Sequence, residues 1–351
     1  MKTWDVVIVG AGVIGLSLAV ELRRSGLSVM VLEKHQPGKE SSWAAGGMLA
    51  DREAGSNVLL RKLAKSSAAM FPEFVRRLRD ESGVNIELRE HGTIRFLDDD
   101  EAAAPDGERL SAEDVQRLEP ELAYVAPAVF LPERSVDPRE LIDGLVGSAK
   151  HLGVDIASGS EVLEIEIEGG RAVAAITGKS RYPGNAVVNC AGAWAGHFGP
   201  VKLPTIPAKG QMLAVTPAVV KHVVRGNGVY LIPRGTGRLV IGATVEDAGF
   251  DKRVEPETIQ RLHQAAAILA PNIGQARILE DWAGLRPATP DKLPIMGSTS
   301  VEGYFVATGH YRDGILLAPI TARVMAQIVR GKTAEVDVSE FGANRFVNLS
   351  G

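Results

Sequence analysis

The fold is decided by the stretch VVIVGAGVIGLSLAVELRRSGLSVMVLEK, which runs from Val6 to Lys34. Its first four residues are all apolar, as is typical of a strand buried on both faces of a parallel sheet. Three glycines follow with the spacing G-x-G-x-x-G, and then come a helical stretch closed by Gly26 and a second strand over 28–32. This order predicts a βαβ unit that binds an adenine dinucleotide.

Each glycine of the unit has a mechanical role. Gly10 makes the tight turn, Gly12 lets a pyrophosphate approach the backbone, and Gly15 lets the helix pack on the strand. The N–H groups and the positive dipole end of the helix face the same pyrophosphate. Glu33 ends the second strand, where an acid binds ribose hydroxyls and disfavours the 2′-phosphate of NADP. The alternative is an ordinary glycine turn, and the unit alone does not separate NAD from FAD.

Composition narrows the class of protein. The chain has 351 residues, of which 45% are hydrophobic and 23% charged, so a large core and two domains are expected. A net charge of −4 without basic runs argues against a nucleic-acid partner. The single cysteine, Cys190, excludes an intrachain disulfide and a cysteine metal cluster. The glycine unit begins almost at Met1 and no apolar stretch approaches about 20 residues, so we expect a cytoplasmic protein without signal peptide or membrane span.

The segments after the βαβ unit alternate between loops, helices and strands. A loop of small residues over 35–58 leaves its backbone accessible to a flat, extended cofactor; the alternative is a flexible surface loop. The run VVNCAGAW, ending at Trp194, is a second strand-to-glycine turn of the kind that faces a ligand. From 204 to 281 the pattern changes to an antiparallel sheet with helices. Helices are predicted over 59–79, 137–151, 256–270 and 315–330, and an acidic surface loop over 98–108.

Seven blocks carry a family resemblance, and they are spread over nearly the whole chain. They are VVIVGAGVIGLSLAVELRRSGLSVMVLEK, SSWAAGGMLA, VVNCAGAW, PAKGQMLAV, YLIPR with GRLVIGAT, WAGLRPATPDKLPIMG and VATGHYRDGILLAPITARVM. Together they resemble the FAD-dependent D-amino-acid oxidase superfamily, and they are most similar to its glycine oxidase subfamily of thiamine biosynthesis. The last two blocks are the most specific. With the loop at 41–48 and the strand before Gly309, they favour FAD over NAD.

The resemblance implies an α/β fold, α+β overall, with two discontinuous domains. A Rossmann-type FAD-binding domain with a parallel sheet is expected from 1–82, 137–196 and 282–351. A substrate-binding domain with an antiparallel sheet is expected from 83–136 and 197–281, roofing the flavin.

The resemblance also assigns the substrate site. An amino-acid oxidase must hold a carboxylate in a mostly apolar pocket, and a guanidinium is its always-charged, bidentate partner. This residue is Arg286 by resemblance, with Tyr230 making a second bond and the backbone of Arg312 accepting from the amine. Met48 is counted with both the substrate and the cofactor residues.

Structural alternatives exist for both carboxylate partners. Arg286 could pair with Asp281 or Asp291, and Tyr230 could be an ordinary half-buried sheet tyrosine. A deprotonated amine that loses hydride directly from Cα needs no base, so no histidine is assigned as one.

The final helix completes the implied cofactor site. Its N-terminus, near Gly314, would point at the flavin N1–C2 carbonyl, where its dipole stabilises the negative charge of the reduced ring. The residues predicted to contact FAD are Gly10, Gly12, Val13, Ile14, Gly15, Glu33, Lys34, Ser41, Ser42, Ala45, Gly46, Gly47, Met48, Val162, Cys190, Ala191, Gly192, Trp194, Arg286, His310, Tyr311, Arg312, Asp313, Gly314, Ile315 and Leu316.

Three positions depart from the subfamily pattern. Asp313 stands where asparagine is expected, and because a carboxylate there would oppose the helix dipole, we expect it to point away or be paired. Asp51 replaces a proline. Gly228, two residues before Tyr230, could widen the site, so the preference among glycine, sarcosine and larger D-amino acids stays open.

The function implied is oxidation of glycine and similar small amines to an imine, with electrons passing to O₂ to give hydrogen peroxide. One alternative is a D-amino-acid or sarcosine dehydrogenase of the same fold with another acceptor. Others are a flavin-dependent tRNA-modifying module, which the acidic balance disfavours, and a catalytically silent flavin-binding protein. Homo-oligomerisation is left open.

Overall fold

The computed structural model describes residues 2–53, 57–97, 107–123 and 126–349. The helices are α1 Val13–Arg24, α2 Ser41–Ala44, α3 Val58–Ser82, α4 Ala112–Leu118, α5 Pro138–His151, α6 Pro256–Leu269 and α7 Gly314–Val329. The strands are β1 Trp4–Val9, β2 Val29–Leu32, β3 Met48–Leu49, β4 Leu88–Arg89, β5 Thr93–Phe96, β6 Glu108–Leu110, β7 Ala128–Leu131, β8 Arg134–Val136, β9 Asp155–Ala157, β10 Val162–Glu168, β11 Arg171–Thr177, β12 Arg181–Asn189, β13 Ile206–Thr216, β14 Val223–Gly226, β15 Val229–Pro233, β16 Leu239–Gly242, β17 Arg277–Ala288, β18 Ile295–Ser298 and β19 Tyr304–Thr308.

The first sheet contains the βαβ unit. Its strand order is β10-β11-β12-β1-β2-β9, with β19 beside β12 and β18 beside β19. The pairs β1–β12, β1–β2, β2–β9 and β12–β19 are parallel, whereas β10–β11, β11–β12 and β18–β19 are antiparallel. The apolar run of β1 is buried in this sheet, and α1 packs against α5 and α7 on one side. The predicted parallel sheet is therefore confirmed as the centre of a mixed one.

The second sheet has the order β17-β13-β16-β15-β14-β5-β7-β6. Every pair is antiparallel except β14–β5. One face packs against α6 through an apolar core that includes Leu213, Leu231 and Ile241. The opposite face carries Met212, Ile232 and Trp282 and turns toward the loop that holds α2. A third, small sheet has the order β3-β8-β4.

Local signals at the helix ends agree with the sequence. Asp137 caps α5, its side chain accepting from the Arg139 N–H at 2.8 Å, and Pro138 is the first helical residue. Ser111 and Asp114 form the capping box of α4. Gly83 ends α3 in the left-handed conformation.

Three features differ in detail from the expectations. The small-residue loop contains the short helix α2 and strand β3. The expected domain boundary at 282 falls inside β17, all of which belongs to the second sheet. Of the predicted acidic loop, residues 98–106 lie outside the described residues, and Glu108 begins β6. In the described part of the chain, no helix has both the length and the hydrophobicity needed to cross a membrane.

Candidate functional site

Parallel strands of the first sheet end together at one edge. Gly10 follows β1, Glu33 follows β2, Cys190 follows β12 and Gly309 follows β19. The turns are joined directly, because the Gly10 N–H donates to Leu32 O at 2.8 Å. The carboxyl edge of a doubly wound sheet is where such folds bind ligands. The first sheet thus brings four turns that carry predicted cofactor residues to one edge, and their contact with FAD stays a prediction.

Two of the three glycines of the βαβ unit, Gly10 and Gly15, are required by backbone contacts. Gly10 has a φ of +103°, and a Cβ atom there would lie 2.5 Å from Cys190 O. A Cβ atom at Gly15 would lie 2.0 Å from Gly10 O. Gly12 precedes the first turn of α1, and a Cβ atom there would meet Ser42 Oγ at 3.3 Å. These positions leave the N-terminus of α1 open to a close backbone ligand, so the cradle fits a pyrophosphate.

Side chains around the cradle are also fixed. The Glu33 carboxylate accepts from the Ala11 N–H at 2.9 Å and the His35 N–H at 3.0 Å, which holds it beside the glycine turn. Ser42 Oγ accepts from the Val13 N–H at 2.9 Å and ties α2 to the start of α1. Lys34 instead forms an exposed ion pair of 2.7 Å with Glu161, next to the buried Val162.

The loop from Ala45 to Met48 is held against the second sheet and the small third sheet. Arg234, which is buried, donates to Gly46 O at 2.6 Å and to Val136 O at 3.2 Å. Gly47 O accepts from the Val136 N–H at 2.9 Å. Sequence reasoning missed Arg234, although the motif YLIPR contains it.

A second missed group lies beside this loop. The Arg139 guanidinium carbon sits 3.6 Å from the Trp43 ring centre and 4.8 Å from that of Trp282. The Trp282 indole N–H donates to Ala44 O at 3.1 Å. These contacts fasten α2 to β17 through cation–π and hydrogen-bond interactions.

The turn after β19 meets the turn after β12. Thr308 Oγ1 donates to Gly192 O at 2.9 Å, and the Tyr311 N–H donates to Pro287 O at 2.8 Å. Trp194 packs against Phe250, with their ring centres 5.3 Å apart. The start of α7, with Ile315 and Leu316 buried, is thereby brought beside the end of β17.

Two titratable groups in this turn have shifted pKa values. Burial lowers the pKa of His310 to about 3, so the ring is neutral at ordinary pH, and its Nε2 lies 3.1 Å from Thr321 Oγ1. Burial raises the pKa of Asp313 to about 6, and the nearby charge of Arg312 only partly opposes this. We expected Asp313 to point away from the flavin or to be paired. Among the described residues its carboxylate has no hydrogen bond or ion pair, so the pairing is not observed and the orientation stays a prediction. The Arg312 side chain is exposed.

The second sheet brings Arg286 and Tyr230 to the same face. Opposite residues of an antiparallel pair share a face, and residues two apart along a strand do so too. Arg286 is opposite Ala208 on β13, and Tyr230 is opposite Gly242, which is in turn opposite Met212. Since Ala208 and Met212 are four residues apart, all of these positions project from the face that turns toward the α2 loop.

Two glycines let the two long side chains lie flat on this face. A Cβ atom at Gly210 would lie 2.3–2.6 Å from the Arg286 guanidinium, and one at Gly242 would lie 2.7 Å from Tyr230 Cε2. Arg286 Nη1 donates to Thr244 O at 3.0 Å. Glycine inside a strand often marks such a close approach, so this signal was present in the sequence but unused.

The environment of Tyr230 is apolar and positively charged. Burial raises the pKa of Tyr230, and the positive charges of Arg286 and Arg312 only partly oppose this. The phenol therefore stays protonated at neutral pH. Its neighbours include Met48, Met212 (Sδ 3.8 Å from the hydroxyl) and Ala243.

The structural alternative for Arg286 is not observed. Asp291 is bound by Arg345 at 2.8 Å, and within the described chain the ion pairs of Arg286 include neither Asp281 nor Asp291. Its described partners are backbone carbonyls, which leaves the charge of the guanidinium uncompensated by a carboxylate. Such a site can bind a small carboxylate between a guanidinium and a phenol.

Comparison with known proteins identifies the family of this chain. Residues 5–328 match the model of the DAO family of FAD-dependent oxidoreductases. The chain is 34% identical to glycine oxidase of Geobacillus kaustophilus over 99% of this chain and 98% of that protein. It is 30% identical to hydrogen cyanide synthase subunit HcnC of Pseudomonas aeruginosa over 98% of this chain and 97% of that one.

The fold is shared with a solved relative as well. The crystal structure of the Geobacillus kaustophilus glycine oxidase superposes with a TM-score of 0.94 at 33% identity, covering 98% of this chain and 99% of that chain. The glycine cradle, the acid after β2 and the full-length match agree on the cofactor class. The chain belongs to the FAD-dependent oxidoreductase family and is an FAD-dependent enzyme.

Proposed function

We propose that this enzyme oxidises glycine and similarly small amines or D-amino acids to the corresponding imines. One observation carries the proposal: the Arg286 guanidinium and the Tyr230 hydroxyl converge on one apolar face of the second sheet. A guanidinium without a carboxylate partner beside a protonated phenol is suited to a substrate carboxylate. The similarity to glycine oxidases supports the size of the substrate.

Each residue of the site has its own role in binding the substrate. Arg286 binds the substrate carboxylate, and Tyr230 donates a second hydrogen bond to it, which fixes the orientation of the substrate Cα. Met48, Met212 and Ala243 surround the site with apolar atoms, which exclude water and strengthen the ionic contact. FAD held by the glycine cradle would supply the acceptor for the hydride that leaves Cα, with O₂ as the final oxidant and hydrogen peroxide as its product.

Three further groups support the chemistry without transferring protons. The amine binds deprotonated with the backbone of Arg312 as its acceptor, so no general base is needed. His310 is neutral and engaged with Thr321, which suits a supporting role in the turn. The N-terminus of α7 supplies positive dipole potential for the negative charge that develops on the reduced cofactor.

The physiological role that we propose is supply of the glycine imine for thiamine biosynthesis. This follows from the glycine oxidase subfamily that the sequence resembles. A D-amino-acid or sarcosine dehydrogenase with another electron acceptor is the competing proposal. The similarity to a hydrogen cyanide synthase subunit shows that relatives at this identity do not all carry the same name.

Anaerobic reduction of the purified flavoprotein tests the proposal. The protein is mixed without oxygen with glycine, sarcosine, D-alanine or D-proline, and bleaching of the flavin absorbance is followed. Bleaching by glycine at the lowest concentration is expected, whereas no bleaching by any of the four would contradict the proposal. Turnover with O₂ compared with an artificial acceptor then separates an oxidase from a dehydrogenase.

A further inference from the structure

A lysine is buried on the side of the second sheet that faces away from Arg286 and Tyr230. Lys209 is only 1% exposed, and its neighbour Gly210 lies under the Arg286 guanidinium. Because side chains alternate along a strand, the Lys209 side chain projects from the opposite face of β13. A buried ammonium needs a compensating partner. Its Nζ lies 3.4 Å from the carboxylate of Glu246 and 3.8 Å from that of Glu255.

Glu246 binds both backbone and side chains of β13. Its N–H donates to Lys209 O at 2.9 Å, and its carbonyl accepts from the Lys209 N–H at 3.0 Å. Its carboxylate accepts from Gln211 Nε2 at 2.9 and 3.1 Å and from the Thr244 hydroxyl. Thr244 Oγ1 in turn accepts from the Gln211 N–H at 2.8 Å. The segment after β16 is therefore clamped to β13 by a closed network.

The clamped segments supply the carbonyls that bind Arg286. Arg286 Nη1 donates to Thr244 O at 3.0 Å and approaches Lys209 O at 3.5 Å. Both carbonyls belong to residues that Glu246 contacts directly. A displacement of either segment would therefore move the guanidinium.

The Glu246 carboxylate is ionised in this network. Burial works against ionisation, yet hydrogen bonds from Thr244 and Gln211 together with the Lys209 charge bring the pKa of Glu246 below its usual value. This negative charge lies 3.4 Å from the Lys209 ammonium, nearer than that of Glu255 at 3.8 Å, so Glu246 contributes most to neutralising the buried cation.

We propose that Glu246 is a positioning residue for the substrate-carboxylate anchor, acting through Thr244 and Lys209 on the guanidinium of Arg286. The proposal rests on the proposed function of Arg286. It assigns a role to a buried ion pair on the far face of the sheet, which the reaction itself does not use.

The variant Glu246→Gln in the holoenzyme tests this role. Acetate, a carboxylate without an oxidisable amine, is titrated while the flavin absorbance spectrum is recorded. We expect the Kd of acetate and the KM of glycine to rise about tenfold, because small displacements of an anchor weaken binding strongly. The rate of flavin reduction at saturating glycine should stay within about twofold. Asp251→Asn, in an exposed pair with Arg253 on the same loop, is the matched control and should leave both constants unchanged.

Three outcomes would overturn the proposal. They are an unchanged Kd and KM in Glu246→Gln, an equal loss in Asp251→Asn, and a fall in the saturating reduction rate without a rise in KM. If Glu246→Gln does not fold, the variant Thr244→Val is used in its place, because it removes only the bridging hydroxyl. The Kd of acetate and the KM of glycine in that variant then test the proposal.

A crystal structure of Glu246→Gln separates this proposal from the proposed function. The contact from Arg286 Nη1 to Thr244 O should be lost whether or not glycine is the substrate, and its persistence would overturn the positioning role. If the wild-type enzyme is reduced by no small amino acid, the proposed function fails, and the structure of the variant still tests the network.

Discussion

The cofactor cradle and the substrate anchor are built in opposite ways. The cradle comes from one contiguous stretch, and backbone atoms require Gly10 and Gly15 there, since a Cβ atom at Gly15 would lie 2.0 Å from Gly10 O. The anchor comes from strands that are distant in sequence, and its glycines are enforced by the side-chain ends of Arg286 and Tyr230. Backbone contacts cannot yield without moving a strand or helix, whereas side-chain ends can shift. The cradle should therefore fail abruptly on substitution, and the anchor should fail gradually.

The substitution Gly15→Ala should have the largest effect. Its new Cβ atom would meet the carbonyl of Gly10, so α1 must move away from β1 and the pyrophosphate cradle opens. We expect a loss of stability of at least about 1–3 kcal/mol and purified protein with little bound flavin. The ratio of flavin to protein absorbance measures this. Gly178→Ala, where the nearest contact would be an ordinary 3.9 Å, is the control; full flavin content in Gly15→Ala would contradict the backbone argument.

Removal of the anchor charge should have the next largest effect, and it should change the KM for glycine and not the flavin content. Arg286→Ala should keep its flavin, because the cradle is untouched. The KM for glycine should rise about 100-fold, since loss of one partner of a desolvated charge pair costs about 2–5 kcal/mol. Anaerobic reduction over a range of glycine concentrations measures the change. Arg345→Ala removes an arginine that binds Asp291 instead and should leave KM unchanged; an equal KM in both variants would remove Arg286 as the anchor.

Gly242→Ala should give a smaller version of the same effect. The added Cβ atom would lie 2.7 Å from Tyr230 Cε2 and 2.9 Å from Met212 Cε, both of which are ends of side chains. The tyrosine ring should tilt away and weaken its bond to the carboxylate, raising KM about tenfold, as expected for a cost of about 1–1.5 kcal/mol. Steady-state kinetics and flavin content are compared with those of Gly178→Ala. Loss of flavin in Gly242→Ala would show that the cofactor cradle and the substrate anchor are not independent.

The same contrast explains what the sequence could predict. The cradle was predictable because its parts are adjacent in the chain. The order strand, glycine turn, helix, strand and acid is typical of a βαβ unit that binds a dinucleotide. Helix ends such as Asp137 with Pro138 were predictable for the same reason. The short elements within the small-residue loop, α2 and β3, were missed because they depend on contacts with distant residues such as Trp282 and Ser135.

The anchor was predictable only through resemblance. Nothing local in the chain shows that Gly210 lies under Arg286 or that Gly242 lies under Tyr230, because both facts depend on the register of β13 with β17 and of β15 with β16. Lys209 could not be assigned for the same reason. A lysine in an apolar strand conflicts with the local pattern, and its partner Glu246 lies beyond the next three strands in the chain.

The substitution Asp313→Asn should have the smallest effect. It tests the turn after β19, which lies between the cofactor cradle and the substrate anchor. Burial raises the pKa of Asp313 to about 6 from an ordinary value of 3.8, so the folded state disfavours the charged form. This destabilisation is absent below about pH 4, grows as the pH rises toward 6, and is fully present above it. Asparagine removes it, and we expect a gain of about 1–3 kcal/mol at pH 8 that vanishes near pH 4.

Thermal unfolding of the holoenzyme at pH 4, 6 and 8 measures this dependence. The control Asp251→Asn should change the Tm at pH 8 in the opposite direction. Hydrogen bonds from the Arg253 side chain and backbone lower the pKa of Asp251 to about 2, so its charged form stabilises the fold at pH 8 and its removal should lower the Tm slightly. A Tm gain in Asp313→Asn that is equal at all three pH values would show that the carboxylate is not the cause. A gain confined to high pH would show that Asp313 affects stability through its charge, whereas the glycines of the cradle do so through steric contact.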